Sequence, residues 1–128
     1  MAVEATGPVI LVVDDSSTSR LMITTRLSLH GYRILEAGSG AEAIQMAKTG
    51  HAALMLLDFF LGDMTGVEVL TALKEDAATR QLPVIILSGN DAEEAARSCE
   101  SLGAAGFLLK PYEPEQLLEQ VKDALGAG

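Results

Sequence analysis

Four apolar runs stand out along the chain, and each stops at a residue with chemistry to offer. Val9-Ile10-Leu11-Val12-Val13 ends in Asp14-Asp15, and Ala53-Leu54-Met55-Leu56-Leu57 ends in Asp58. Pro83-Val84-Ile85-Ile86-Leu87 ends in Ser88, and Gly106-Phe107-Leu108-Leu109 ends in Lys110-Pro111. Unbroken runs this short predict strands buried on both faces, as in a parallel sheet covered by helices. Pro83 at the head of its run removes no ladder bond. A fifth run, Arg33-Ile34-Leu35-Glu36-Ala37, mixes polar and apolar residues, as suits an edge strand.

Helical spacing fills the intervals. Ser16-Ser17-Thr18-Ser19 is rich in helix-capping residues; Ser19, Met22, Ile23, Leu27 and His30 recur behind it, and Gly31 stops the helix. Gly38-Ser39-Gly40 turns into a second helix, with Ala43, Ile44 and Ala47 on one face and Gly50 at its end. Leu61-Gly62-Asp63 is the exit loop of the strand ending at Asp58, and a third helix carries Val67, Leu70 and Leu73 to about residue 76. Asn90 with Glu93 has the spacing of a capping box and predicts a fourth helix, with a stripe of Ala92, Ala95, Ala96, Cys99 and Leu102 ended by Gly103. Pro114 opens a fifth helix, packed through Leu117, Leu118, Val121, Ala124 and Leu125. Strand and helix thus alternate five times. The expected fold is α/β: a doubly wound, flavodoxin-like five-stranded parallel sheet of order 2-1-3-4-5 with five helices. Residues 1–8 read as a short lead-in and 9–126 as one domain.

Composition narrows the function. At 128 residues, 48% hydrophobic and 21% charged, the chain is globular rather than disordered. A net charge of −9 argues against nucleic acid as a direct partner. No apolar run approaches the ~20 residues of a membrane span, and Met1–Pro8 lacks the basic start of a signal peptide. Cys99 is the one cysteine, so no internal disulfide forms and a cytoplasmic location is expected. It reads as a small hydrophobe, while His30 and His51 lack metal-ligand spacing and read as surface residues.

In a sheet of that order, Asp14, Asp15, Asp58, Ser88 and Lys110 share one rim, the carboxyl edge where ligands collect in open α/β folds. Two carboxylates ~4 Å apart repel by about 4 kcal/mol at an effective dielectric near 20. Protonation or a divalent cation relieves this, and an all-oxygen site suits Mg²⁺ or Mn²⁺. Metal, ammonium and hydroxyl around one carboxylate are what a transferring phosphoryl group needs, with Asp58 as the attacking group. Each residue also has a plainer reading. Asp14 or Asp15 alone would serve as a helix cap, Lys110 as a surface lysine, Ser88 as a strand end and Phe107 as core packing.

Taken together, Leu11-Val12-Val13-Asp14-Asp15, Leu56-Leu57-Asp58, Leu87-Ser88-Gly89 and Phe107-Leu108-Leu109-Lys110-Pro111 form a specific set. The chain resembles the receiver domains of two-component response regulators, in the compact form seen in chemotaxis, from about Val9 to Leu125. The resemblance implies that Asp58 accepts a phosphoryl group from a histidine kinase or histidine phosphotransfer protein. It implies that Asp15 and Asp58 ligate Mg²⁺ directly, that Asp14 acts mainly through water, and that the backbone carbonyl of Phe60 adds a ligand. Lys110 would pair with Asp58 and then with the phosphoryl group. Ser88 would swing inward and let Phe107 change rotamer, and Lys110-Pro111 would be a cis bond. The face of the fourth helix, fifth strand and fifth helix would then meet a downstream protein. The domain would not be a conventional enzyme, although it would assist its own phosphotransfer and autodephosphorylation.

The loop after Asp58 departs from the family pattern, which has a polar residue two places after the acceptor and then Met-Pro. Here stand Phe60 and Leu61-Gly62. The expectation is that bulky Phe60 hinders the hydrolytic water and lengthens the phosphoryl lifetime. Three other function classes are weaker. A flavin carrier would need a glycine in the Ser16–Ser19 loop and an aromatic cover. An aspartyl phosphatase would want an acid at position 60. A receiver-like scaffold that is never phosphorylated would not need the complete acidic set with Ser88 and Lys110. The end of the chain, Ala124–Gly128, suggests either action by docking alone or a receiver cut from a larger protein.

Overall fold

A computed structural model describes residues 7–49, 51–89 and 93–126. The strands are β1 (Val9–Val13), β2 (Arg33–Ala37), β3 (Leu54–Asp58), β4 (Val84–Ser88) and β5 (Gly106–Leu109). The helices are α1 (Ser17–Ser28), α2 (Gly40–Thr49), α3 (Gly66–Lys74), α4 (Glu93–Arg97) and α5 (Pro114–Gly126). The sheet is parallel throughout and ordered β2-β1-β3-β4-β5, as the apolar runs predicted.

Because side chains alternate across a strand, each central strand feeds two cores. Leu11, Val13, Met55, Leu57, Val84 and Ile86 pack on one face against Val69, Leu70 and Leu73 of α3 and Ala43 of α2. Ile10, Val12, Leu54, Leu56, Ile85 and Leu87 pack on the other, against Ile23 and Leu27 of α1 and Leu117 and Val121 of α5. The proline at residue 83 fits as expected: it lies just before β4, and its carbonyl accepts from Met55 N–H at 2.9 Å.

Helix starts follow local chemistry. Ser16 caps α1, its hydroxyl accepting from Ser19 N–H at 3.2 Å. Thr65 and Glu68 form a reciprocal capping box on α3. Gly31 and Gly103 take positive φ angles of 85° and 96° just beyond α1 and the α4 segment, a conformation glycine adopts without steric penalty.

Two expectations change. The α1 stripe is narrower than the periodicity suggested: Ile23, Thr24 and Leu27 are buried, whereas Met22 stays 71% exposed. The fourth helix ends earlier than predicted. It gives way after Arg97 to a 3₁₀ turn over Ser98–Glu100, and among the described residues of the stripe only Ala96 and Cys99 are buried, leaving Ala95 and Leu102 exposed. A stripe of small residues buries too little area to hold a longer helix on the sheet. Asn90 and Ala92, Gly50 and Met1–Thr6 lie outside the described residues, so the expected capping box, helix stop and lead-in lie there too.

Candidate functional site

Register places the rim. Val13 pairs with Leu57, so Asp14 and Asp58 leave neighbouring strands side by side. Ser88 pairs with Leu109, and Lys110 N–H donates to Ser88 O at 2.7 Å, which sets Lys110 beside them. The Lys110 ammonium donates to Asp58 Oδ1 at 2.7 Å and lies 4.0 Å from Asp14 Oδ2. One carboxylate oxygen each from Asp14, Asp15 and Asp58 lies within 4.8 Å of the others. Four residues from three distant segments of the chain therefore meet at one point.

Their surroundings differ. Asp14 is buried; its Oδ1 accepts from Ser16 N–H at 2.9 Å, while its Oδ2 is shielded from solvent with no hydrogen-bond partner. Asp15 is exposed and Asp58 only partly so. Burial pushes the Asp58 carboxyl above its ordinary 3.8; the Lys110 hydrogen bond and charge pull it back, and the charges of Asp14 and Asp15 push it further up. The donor set is all oxygen and carries three negative charges against one ammonium. A divalent cation fits such a set, and the orphaned Asp14 Oδ2 is free to accept from a water that such a cation carries.

The other predicted residues are less uniformly engaged. Ser88 is buried at the rim, yet its hydroxyl donates to Gly89 O at 3.1 Å rather than to a carboxylate. Phe107 is partly buried, with the Arg97 guanidinium 4.7 Å over its ring and Gln120 Nε2 donating to its carbonyl at 3.4 Å. Phe60 is exposed and meets Phe59 edge to face at 5.0 Å. Its backbone pairs with Thr65 through the flanking bonds Leu61 N–H to Met64 O and Gly66 N–H to Phe59 O. In such a pair the residue's own C=O points away from its partner, which leaves the Phe60 carbonyl available. The Lys110–Pro111 bond is cis.

Sequence reasoning missed several neighbours. Arg20 donates to the Asp14 carbonyl at 2.5 Å and to Glu36 Oε1 at 3.2 Å, bracing the β1 end against β2. Burial, with the charges of Asp14 and Asp58, pushes the Tyr112 phenol up, marking it as part of the same environment. Asp63 reaches across to α2. For none of these does spacing along the chain give a signal.

Residues 10–122 match the family described as the response regulator receiver domain. The chain belongs to that family. It is a receiver domain of the two-component class, consistent with a phosphorylation-dependent signalling switch, and the acidic cluster of Asp14, Asp15 and Asp58 is present. This receiver is 32% identical to the protein PilH of Pseudomonas aeruginosa, covering 91% of the chain and 96% of PilH. It is 32% identical to the two-component response regulator ORR5 of rice, covering 87% and 84%. It is 33% identical to rice ORR7 and to PhoB of Pseudomonas aeruginosa, but spans only about half of each, 52%. Among solved structures it matches the chemotaxis response regulator CheY4 of Vibrio cholerae at a TM-score of 0.85 and 30% identity, over 94% of this chain and 100% of that one. A response regulator from Chloroflexus aurantiacus matches at 0.88 and 28%, over 94% and 99%. Among the described residues no helix is long and apolar enough to cross a membrane.

Proposed function

We propose that Asp58 accepts a phosphoryl group from the phosphohistidine of a histidine kinase or histidine phosphotransfer protein, within a receiver unit of residues 9–126. Asp15 and Asp58 would hold Mg²⁺ directly, Asp14 through water, and the Phe60 carbonyl would complete the protein ligands. When bound, the cation neutralises charge on the transferring group and on the crowded carboxylates.

The residues of this chain do the rest. An Asp58 oxygen attacks phosphorus, the phosphorus–nitrogen bond breaks, and the electron pair leaves with the imidazole, which takes up a proton. Asp58 is then an acyl phosphate. Lys110, already 2.7 Å from Asp58 Oδ1, needs only a small shift to bond a phosphoryl oxygen. Ser88 must release the Gly89 carbonyl and turn inward. Phe107 would then shift, and because its ring lies under the Arg97 guanidinium of α4, its movement would reach the α4–β5–α5 face that a downstream protein would read.

The observation that carries this reading is the Lys110–Asp58 contact beside the partnerless Asp14 oxygen. Treatment with a small phosphodonor and Mg²⁺, followed by peptide mass analysis, tests it. One phosphoryl mass is expected on the peptide containing Asp58 and none in Asp58→Asn. A label elsewhere, or one that survives the substitution, removes the proposal.

A further inference from the structure

The β3–α3 loop is strapped to the start of α2 by contacts that involve none of the reacting groups. Asp63 accepts from Gly40 N–H at 2.8 Å on one carboxylate oxygen and from Ala41 N–H at 3.0 Å on the other. Met64 packs against Gly40 so closely that a methyl group there would collide with it. Leu61 buries its side chain and donates its N–H to Met64 O at 3.1 Å. Between Leu61 and Asp63 stands Gly62, the residue with the most backbone freedom, beside Asp15 Oδ2. The Leu61–Met64 bond and the Phe60–Thr65 bridge close the loop on itself, and Asp63 ties the closed loop to α2.

The two bonds to Asp63 are more than an ordinary helix cap. The α2 helix already has a local one, since Ser39 Oγ accepts from Glu42 N–H at 3.1 Å. Asp63 takes the two earlier N–H groups from a distance of more than twenty positions in sequence. It thereby joins the loop that carries the Phe60 carbonyl to a rigid element. The same backbone bonds hold the Asp63 carboxyl below its ordinary value, so it is charged and fully accepting near neutrality.

We infer that Asp63 is a positioning residue for the divalent-cation site, clamping the β3–α3 loop to α2 so that the Phe60 carbonyl, free of the loop's own bonds, is held in one place for the cation. The inference rests on the proposed cation site. If the loop samples conformers that turn the carbonyl away, the apparent affinity falls in proportion to the competent fraction.

Binding of Mn²⁺ to the full chain, read from the free-ion electron paramagnetic resonance signal, tests this without any phosphodonor. Asp63→Ala is expected to weaken binding about tenfold, the lower end for a residue that supports a ligand from behind. Asp63→Asn keeps one acceptor and is expected to lose less. Thermal melts of the metal-free proteins run alongside. Unchanged Mn²⁺ affinity in both variants, even with a lower melting temperature, overturns the inference and leaves Asp63 a structural cap. Equal losses in both variants that disappear at high salt also overturn it, because they mark a through-space charge effect. If Asp58→Asn itself leaves Mn²⁺ binding intact, the cation site is wrong, and that failure is distinct from failure of the strap.

Discussion

Asp14 divides its two oxygens between structure and chemistry. Oδ1 accepts from Ser16 N–H and shapes the turn into α1, while Oδ2 is buried without a partner. The helix-cap reading of this residue does not hold, since Ser16 rather than Asp14 is the N-cap of α1. Phe60 raises a separate question. Two places after Asp58, its ring is exposed, propped on Phe59, and gives a water there no hydrogen-bonding group. Phosphate release from phosphorylated Phe60→Asn is expected to be several-fold faster than from the parent. An equal or slower rate would show that the ring does not protect the phosphoryl group.

The α3 helix shows how much one local signal can settle. Thr65 Oγ accepts from Glu68 N–H at 3.4 Å and Glu68 Oε1 accepts from Thr65 N–H at 3.2 Å, so the first turn is closed from both sides. Thr65→Ala is expected to lower stability by about 1 kcal/mol in urea unfolding. A change below a few tenths would mean the box is solvated rather than structural. The far end of α3 depends on a residue that spacing does not reveal: Thr79, buried beyond the helix, donates its hydroxyl to Leu73 O at 2.8 Å. The α4 segment makes the contrasting case. Alanines at helical spacing predicted a helix running on to Leu102, but among the described residues the helix ends at Arg97 and a 3₁₀ turn follows. Helical periodicity without bulk does not fix length, because the stabilising area is missing.

At the scale of the molecule, the sheet forces like charges together. Burial raises the folded-state carboxyl of Asp58 above 3.8 and the neighbouring acids add to this, so the native protein binds a proton there more readily than the unfolded chain. That contribution is fully present below 3.8 and is lost as pH rises through the raised folded value. Without divalent cations, Asp58→Asn is expected to be more stable than the parent at neutral pH, by on the order of 1 kcal/mol or about 4 °C. The difference should shrink toward pH 4. Adding Mg²⁺ at ~100 times its Kd should stabilise the parent by about 2.7 kcal/mol and the variant much less. Melting curves that show no pH trend, or an equal Mg²⁺ shift in both proteins, would refute this.

The order of apolar runs, their acid, hydroxyl and lysine endings, and the turn residues between them determined the strand order and the candidate rim. That is because burial on both faces and parallel crossovers leave few alternative arrangements. Residues 58, 88 and 110 were legible because each directly follows or ends a buried run. What only the tertiary structure decided is how the rim is held. Arg20 bracing Asp14, Asp63 clamping the loop to α2, and Arg97 lying over Phe107 are long-range or cross-element contacts. Such contacts obey no period along the chain, since their partners become neighbours only after the sheet has assembled.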